Sequence, residues 1–222
     1  MKLYPYPGAT MRRRPQFALL ALAATLAIAF AIAVSLNSSS RHGRSTGAAT
    51  SVASPASGFD GAALPDNVTA PDFALTDQLG QQVRLASYRG SVTILAFLYS
   101  SCGSTCEVIA QQIRGALDEL PRPVPVLLLS ADPAADTPAS IRSFLARVSL
   151  TGRVRYLTGS QAQLRPVWRA YHVAPASDGR AAFERTASVL LIDAGGRERV
   201  LFGLEQLTPE ALAHDIGRLQ AG

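Results

Sequence analysis

At 222 residues, 48% of them hydrophobic and 17% charged, the chain has room for one domain of ordinary size plus flanking segments. Its formal net charge is +5, yet Lys2, Arg12, Arg13 and Arg14 all precede residue 37, where there is no acid; the remainder carries 17 bases against 16 acids. So even a balance excludes a nucleic-acid-binding surface, which needs a basic patch on the folded domain.

Residues 17–36, FALLALAATLAIAFAIAVSL, run without a charge for a length that crosses a bilayer core as a helix. Arg12 to Arg14 just before them favour a cytoplasmic N-terminus over residues 1–16. A cleaved signal peptide is the competing reading, but its apolar stretch is typically about 7–15 residues. The expectation is therefore a single-pass protein of the cell membrane, anchored by residues 17–36, with its C-terminal domain on the extracytoplasmic side. There cysteines can oxidise. Residues 37–64 are rich in Ser, Ala and Gly and read as a flexible linker, with His42 a solvated residue within it. The folded domain is expected over residues 65–222.

Within it, FALTDQLGQQVRLASY (73–88) predicts a hairpin with its turn at the polar and Gly residues. SVTILAFLYS (91–100) and VPVLLLS (124–130) are near-continuous apolar runs, as in strands buried on both faces. Between them CEVIAQQIRGALDEL has helical spacing of Val108, Ile109, Ile113, Ala116, Leu117 and Leu120. Asp136, Thr137 and Pro138 open a second helix, with Asp136 expected as its N-cap and Asp132 in the preceding loop. VRYL, a helix from Gln161 to Tyr171, the strands ASVLLID and RERVLFG, and a helix capped by Thr208 and Pro209 complete the chain. The order β-α-β-α-β-β-α predicts an α/β, thioredoxin-like fold with the hairpin as an N-terminal extension.

Both cysteines, Cys102 and Cys106, fall in SSCGSTCE at the first strand-to-helix turn. A disulfide between such near neighbours restricts the unfolded chain rather little, which points to chemistry instead. A helix N-terminus favours the thiolate, which is the nucleophile for disulfide exchange and the ligand for soft metals. Residues four apart on a helix have Cα atoms about 6 Å apart, within disulfide range. The spacing admits a dithiol, a disulfide and a two-sulfur metal clip without choosing among them. A structural zinc site, with its four protein ligands, does not fit two cysteines and three scattered histidines. Cu(I) needs only two thiolates.

The lead-in APDFALTDQLGQQVRLASYRG, the C-x3-C of Cys102 and Cys106, SADPAADTP (130–138), YLTG (156–159) and TASVLLIDAGGR (186–197) together resemble the Sco/SenC family, copper chaperones of cytochrome oxidase assembly. The resemblance implies a copper site on Cys102 and Cys106, and a third ligand, a histidine, directly before the T-A-S stretch. Here that position is Arg185, which stays charged and cannot ligate a metal. Placed beside the cysteines, Arg185 would stabilise a thiolate. Two functions follow from the resemblance. The chain carries Cu(I) on its two sulfurs to a membrane-bound oxidase subunit or another cysteine-bearing copper client. Alternatively it exchanges disulfides with such a client, needing a thiol reductant and no copper, with Cys102 as the expected attacking sulfur. A thiol peroxidase is a third reading, set against the absence of a Thr three residues before either cysteine. His172 is a candidate third ligand, His214 an expected surface residue, Trp168 and Tyr171 expected packing residues, and Tyr99 a shield or core aromatic.

Overall fold

The computed structural model describes residues 58–222. Its strands are β1 (Ala62–Ala63), β2 (Ala74–Asp77), β3 (Gln82–Arg84), β4 (Thr93–Leu98), β5 (Val126–Ser130), β6 (Arg155–Thr158), β7 (Ser188–Ile192) and β8 (Glu198–Gly203). They form one sheet in the order β1-β8-β7-β4-β5-β6-β2-β3. The α-helices are α1 (Ser104–Glu119), α2 (Pro138–Arg147), α3 (Gln161–Ala170), α4 (Arg180–Thr186) and α5 (Pro209–Ala221).

Strand β4 lies between parallel β5 and antiparallel β7, and every one of its residues is buried. Successive side chains of a strand face opposite ways. Ile94, Ala96 and Leu98 therefore join Ile109 and Ile113 of α1, Phe144 of α2, and Leu212 and Ile216 of α5. Leu95 and Phe97 join Leu164 and Trp168 of α3. Helices thus cover both faces of a mixed sheet, which is the thioredoxin-like α/β arrangement expected. The hairpin is present as β2 and β3, and β2 also pairs with β6. Asp77 sets its turn by accepting the N–H groups of Leu79 and Gln81 at 2.9 and 2.8 Å.

Helix α2 is capped by Thr137, whose hydroxyl accepts the N–H of Ser140 at 3.1 Å; Asp136 was the expected cap. Asp136 is instead buried and turned inward. Helices α3 and α5 start at Ser160 and Thr208, both with side-chain caps.

The sheet also takes in residues ahead of Pro65, where the folded domain is expected to start. Ala62 and Ala63 pair with β8, and Leu64 N–H donates to Arg199. A two-residue edge strand is held by backbone bonds alone, so Ala-Ala carries no side-chain pattern to betray it.

The expected single-pass membrane location is corrected. Among the described residues no helix is long and apolar enough to cross a membrane. The longest, α1, has 16 residues, about 24 Å at 1.5 Å per residue, and carries Glu107, Arg114, Asp118 and Glu119. Residues 17–36, on which the expectation rested, lie outside the described residues, as do residues 1–16 and most of the expected linker.

Candidate functional site

The chain leaves β4 through Tyr99 and Ser100, turns as Cys102 N–H donates to Tyr99 O at 3.1 Å, and enters α1 at Ser104. Gly103 makes the entry with φ 78° and ψ −144°, a conformation open essentially to glycine. Cys106 then falls in the first helical turn, and its Cα is 5.7 Å from that of Cys102. Of the three states the spacing admits, the structure holds the disulfide. Cys102 is 1% exposed and Cys106 0%, so neither offers itself as the more accessible sulfur. Phe183 of α4 lies in the same cluster, fully buried, with its ring 5.0 Å from and edge-on to that of Tyr99.

The arginine at this turn is Arg180. Its guanidinium donates to the carbonyl of Cys102 and pairs with Glu184 at 3.2 Å. Glu184 in turn accepts the hydroxyl of Thr105 at 3.0 Å, so α4 grips the C-x3-C segment at two points. Burial raises the pKa of the Tyr99 phenol, and the field of Arg180 is the leading opposing influence. A Cβ at Gly103 would lie 2.7 Å from Arg180 Nη2. Gly103→Ala is therefore expected to cost about 1–3 kcal/mol from its backbone conformation alone. Urea unfolding measures it, and an unchanged midpoint would mean that the turn relaxes freely.

Arg185 goes elsewhere. It is exposed and lines a groove of about 530 Å³ floored by Leu95, Phe97 and Leu190, side chains of the other core cluster. His172 lines the same groove, exposed and at φ 56°. Glu198 lies there too; burial raises its pKa and His172 opposes the rise. The sequence-based candidates thus divide, with Cys102, Cys106 and Tyr99 together on one side and Arg185 and His172 on the other.

Beneath the turn lies a buried carboxylate. Asp136 accepts the N–H of Ser100 at 2.7 Å, the hydroxyl of Ser130 at 2.6 Å and that of Tyr156 at 2.8 Å. Trp168 is buried and donates its indole N–H to Ser130 O at 2.9 Å, tying α3 to the same strand end. Tyr171 donates to Pro71 O at 2.7 Å, and Asp132 caps its own loop through the N–H groups of Ala134 and Ala135. Sequence reasoning missed Arg180. The available signal was its spacing of four from Glu184, an ion-pair pattern that marks a helix.

Residues 61–221 match the family model described as SCO1/SenC. A Stutzerimonas stutzeri protein named for copper binding is 25% identical over 169 residues, covering 68% of this chain and 81% of that one. The copper-bound ScoI of Bradyrhizobium japonicum is 28% identical, with a TM-score of 0.52 over 68% of this chain and 99% of its own. Apo Sco1 of Thermus thermophilus shares the fold at 22% identity, with a TM-score of 0.60 over 72% of this chain and 96% of its own.

Proposed function

This chain belongs to the SCO1/SenC family, and from that premise we propose that Cys102 and Cys106 cycle between a disulfide and a dithiol that takes Cu(I) as cargo for a cytochrome oxidase copper site. The observation that carries the reading is the pairing itself. The whole cysteine complement sits at the mouth of α1, close enough for the two sulfurs to bond. Reduced, the pair offers two soft thiolates, the donor set that Cu(I) accepts. Copper-bound ScoI of Bradyrhizobium japonicum supports the cargo. With Arg185 at the family's histidine position, the cargo rests on the two sulfurs. Arg180, hydrogen-bonded to the Cys102 carbonyl, would offset the negative charge that two thiolates bring to one Cu⁺ to the extent that its pairing with Glu184 leaves it free.

A second reading, thiol–disulfide exchange with a copper client, is favoured by the disulfide and by that same lack of a histidine. One of the two thiolates attacks one sulfur of a client disulfide, forming a mixed disulfide while the client's S–S bond breaks and its leaving sulfur takes a proton. The other thiolate of the Cys102–Cys106 pair then attacks the first, closing the internal disulfide and releasing the client's second sulfur as a thiol. Two electrons pass to the client, and a thiol reductant must restore the pair.

The test is an anaerobic titration of the reduced full chain with Cu(I) against a coloured competing chelator. A 1:1 complex abolished by Cys102→Ser is expected. If the chain does not compete while it still reduces a client disulfide, the copper reading fails and the exchange reading stands.

A further inference from the structure

Away from the cysteines, α5 presents a second group of potential ligands. Asp215 is fully buried, and its carboxylate is fixed by backbone donors from the segment leading into β1. Asp60 N–H lies 2.9 and 3.1 Å from its two oxygens, and Gly61 N–H donates to Oδ2 at 2.9 Å. This brings the side chain of Asp60 back over the helix. Its Oδ2 and the Oδ1 of Asp215 then converge on one atom, His214 Nδ1, each at 3.0 Å.

An imidazole nitrogen carries at most one proton, so the two carboxylates share a single N–H in a three-centre bond, bent and weaker toward each than a separate linear one. Two carboxylates drawn to a single nitrogen also bring like charges together, which a cation among them relieves. The three ligand atoms lie within 4.8 Å of one another. Donors bound at about 2.0–2.2 Å stand roughly 3.3–3.6 Å apart in a tetrahedral shell and roughly 2.8–3.1 Å apart in an octahedral one, so the two 3.0 Å contacts to Nδ1 open by a few tenths of an ångström for a tetrahedral ion and fit an octahedral edge as they stand. Backbone donors orient the buried ligand, as the outer partners of metal-bound carboxylates do.

We propose that His214 Nδ1, Asp60 Oδ2 and Asp215 Oδ1 form a second metal site, for a divalent first-row ion that prefers nitrogen and oxygen donors, Zn²⁺ or Cu²⁺. The site goes beyond the cysteine chemistry and is separate from it, since its donors are hard where Cu(I) is soft. The side chains of His214 and Asp60 are 48% and 53% exposed, which leaves the remaining coordination positions to water. A bound ion pins residues 60–61 to α5 and so secures the strand that closes one edge of the sheet.

The experiment is a calorimetric titration of the full chain with Zn²⁺, the disulfide kept oxidised so that the sulfurs are not available as ligands. One ion per chain is expected, with affinity weakened about tenfold or more in both His214→Ala and Asp60→Asn. The thermal midpoint of the wild-type chain should rise with zinc concentration, and that of His214→Ala should not. Asp215→Asn is a poor probe, because that carboxylate also holds the N–H groups of Asp60 and Gly61. Wild-type binding no tighter than that of both variants overturns the proposal. So does a wild-type stability that follows pH but ignores zinc, which would make the cluster an ion pair only.

Discussion

Replacing Asp136 with alanine is expected to cost about 3–5 kcal/mol, because it takes the acceptor from three buried donors at once, leaving only the Tyr156 hydroxyl a second, longer bond to Leu98 O. These are the N–H of Ser100 and the hydroxyls of Ser130 and Tyr156, which join the segment after β4, the end of β5 and the middle of β6 beneath the cysteine turn. Asp136→Asn should be milder, since an amide oxygen can still accept from Ser100 while the two hydroxyls turn to accept from the amide nitrogen. The asparagine variant also reads a proton linkage. Burial raises the Asp136 pKa above the ordinary carboxylate value, against the lowering effect of its three donors. Between the unfolded and the raised folded value the native state holds more proton, so this group's contribution is full below the window and falls as pH rises through it. Asp193 titrates the other way. It is partly desolvated, yet the N–H of Arg197 and the guanidinium groups of Arg199 and Arg197 hold its pKa below the usual range. Its stabilisation is present above the unfolded value and is lost as pH falls through the folded one. The difference between wild type and Asp136→Asn therefore isolates the slope that Asp136 contributes. Urea unfolding across the acid range measures it. Curves that stay parallel at every pH, or an alanine variant within about 1 kcal/mol of wild type, would remove the assignment.

Phe183→Ala is the second large effect, again about 3–5 kcal/mol for emptying a fully buried aromatic site. Its consequence for chemistry is more specific than the lost stability. Phe183 packs edge-on against Tyr99 in the cluster that encloses both cysteines, and it belongs to the helix whose Arg180 and Glu184 hold the cysteine turn. Truncating it should let a small thiol reduce the disulfide faster, under conditions where the variant is still folded. The check is the rate of thiol release under mild reductant, alongside a circular dichroism trace. A fold-retaining variant with a wild-type reduction rate would mean that access to the sulfurs does not run past α4.

The central strands were legible because Thr93–Leu98 and Val126–Ser130 are apolar at nearly every position, and burial on both faces needs that. Helix α1 showed in its spacing, and α5 in Thr208 and Pro209. Helix α4 did not, since seven residues give fewer than two turns and Phe183 alone among them is fully buried. Arg185 draws attention through its place directly before the T-A-S stretch, whereas Arg180 has no such motif to mark it. Five residues along a helix turn a side chain by about 140°, so Arg180 and Arg185 cannot serve the same neighbour, whereas Arg180 and Glu184 share a face. The position of Asp136 was equally hidden. Its place before Thr137 and Pro138 fits a cap, and only the packing of β5, β6 and the segment after β4 makes it the acceptor they share.

The sheet ends on its two shortest strands, β1 with two residues and β3 with three. A sheet border is ordinarily a template for foreign strands, and short borders are one way proteins blunt it. Two or three residues offer too few free N–H and C=O groups to recruit another chain into a ladder. Molecules of this protein should therefore resist edge-to-edge association even when crowded.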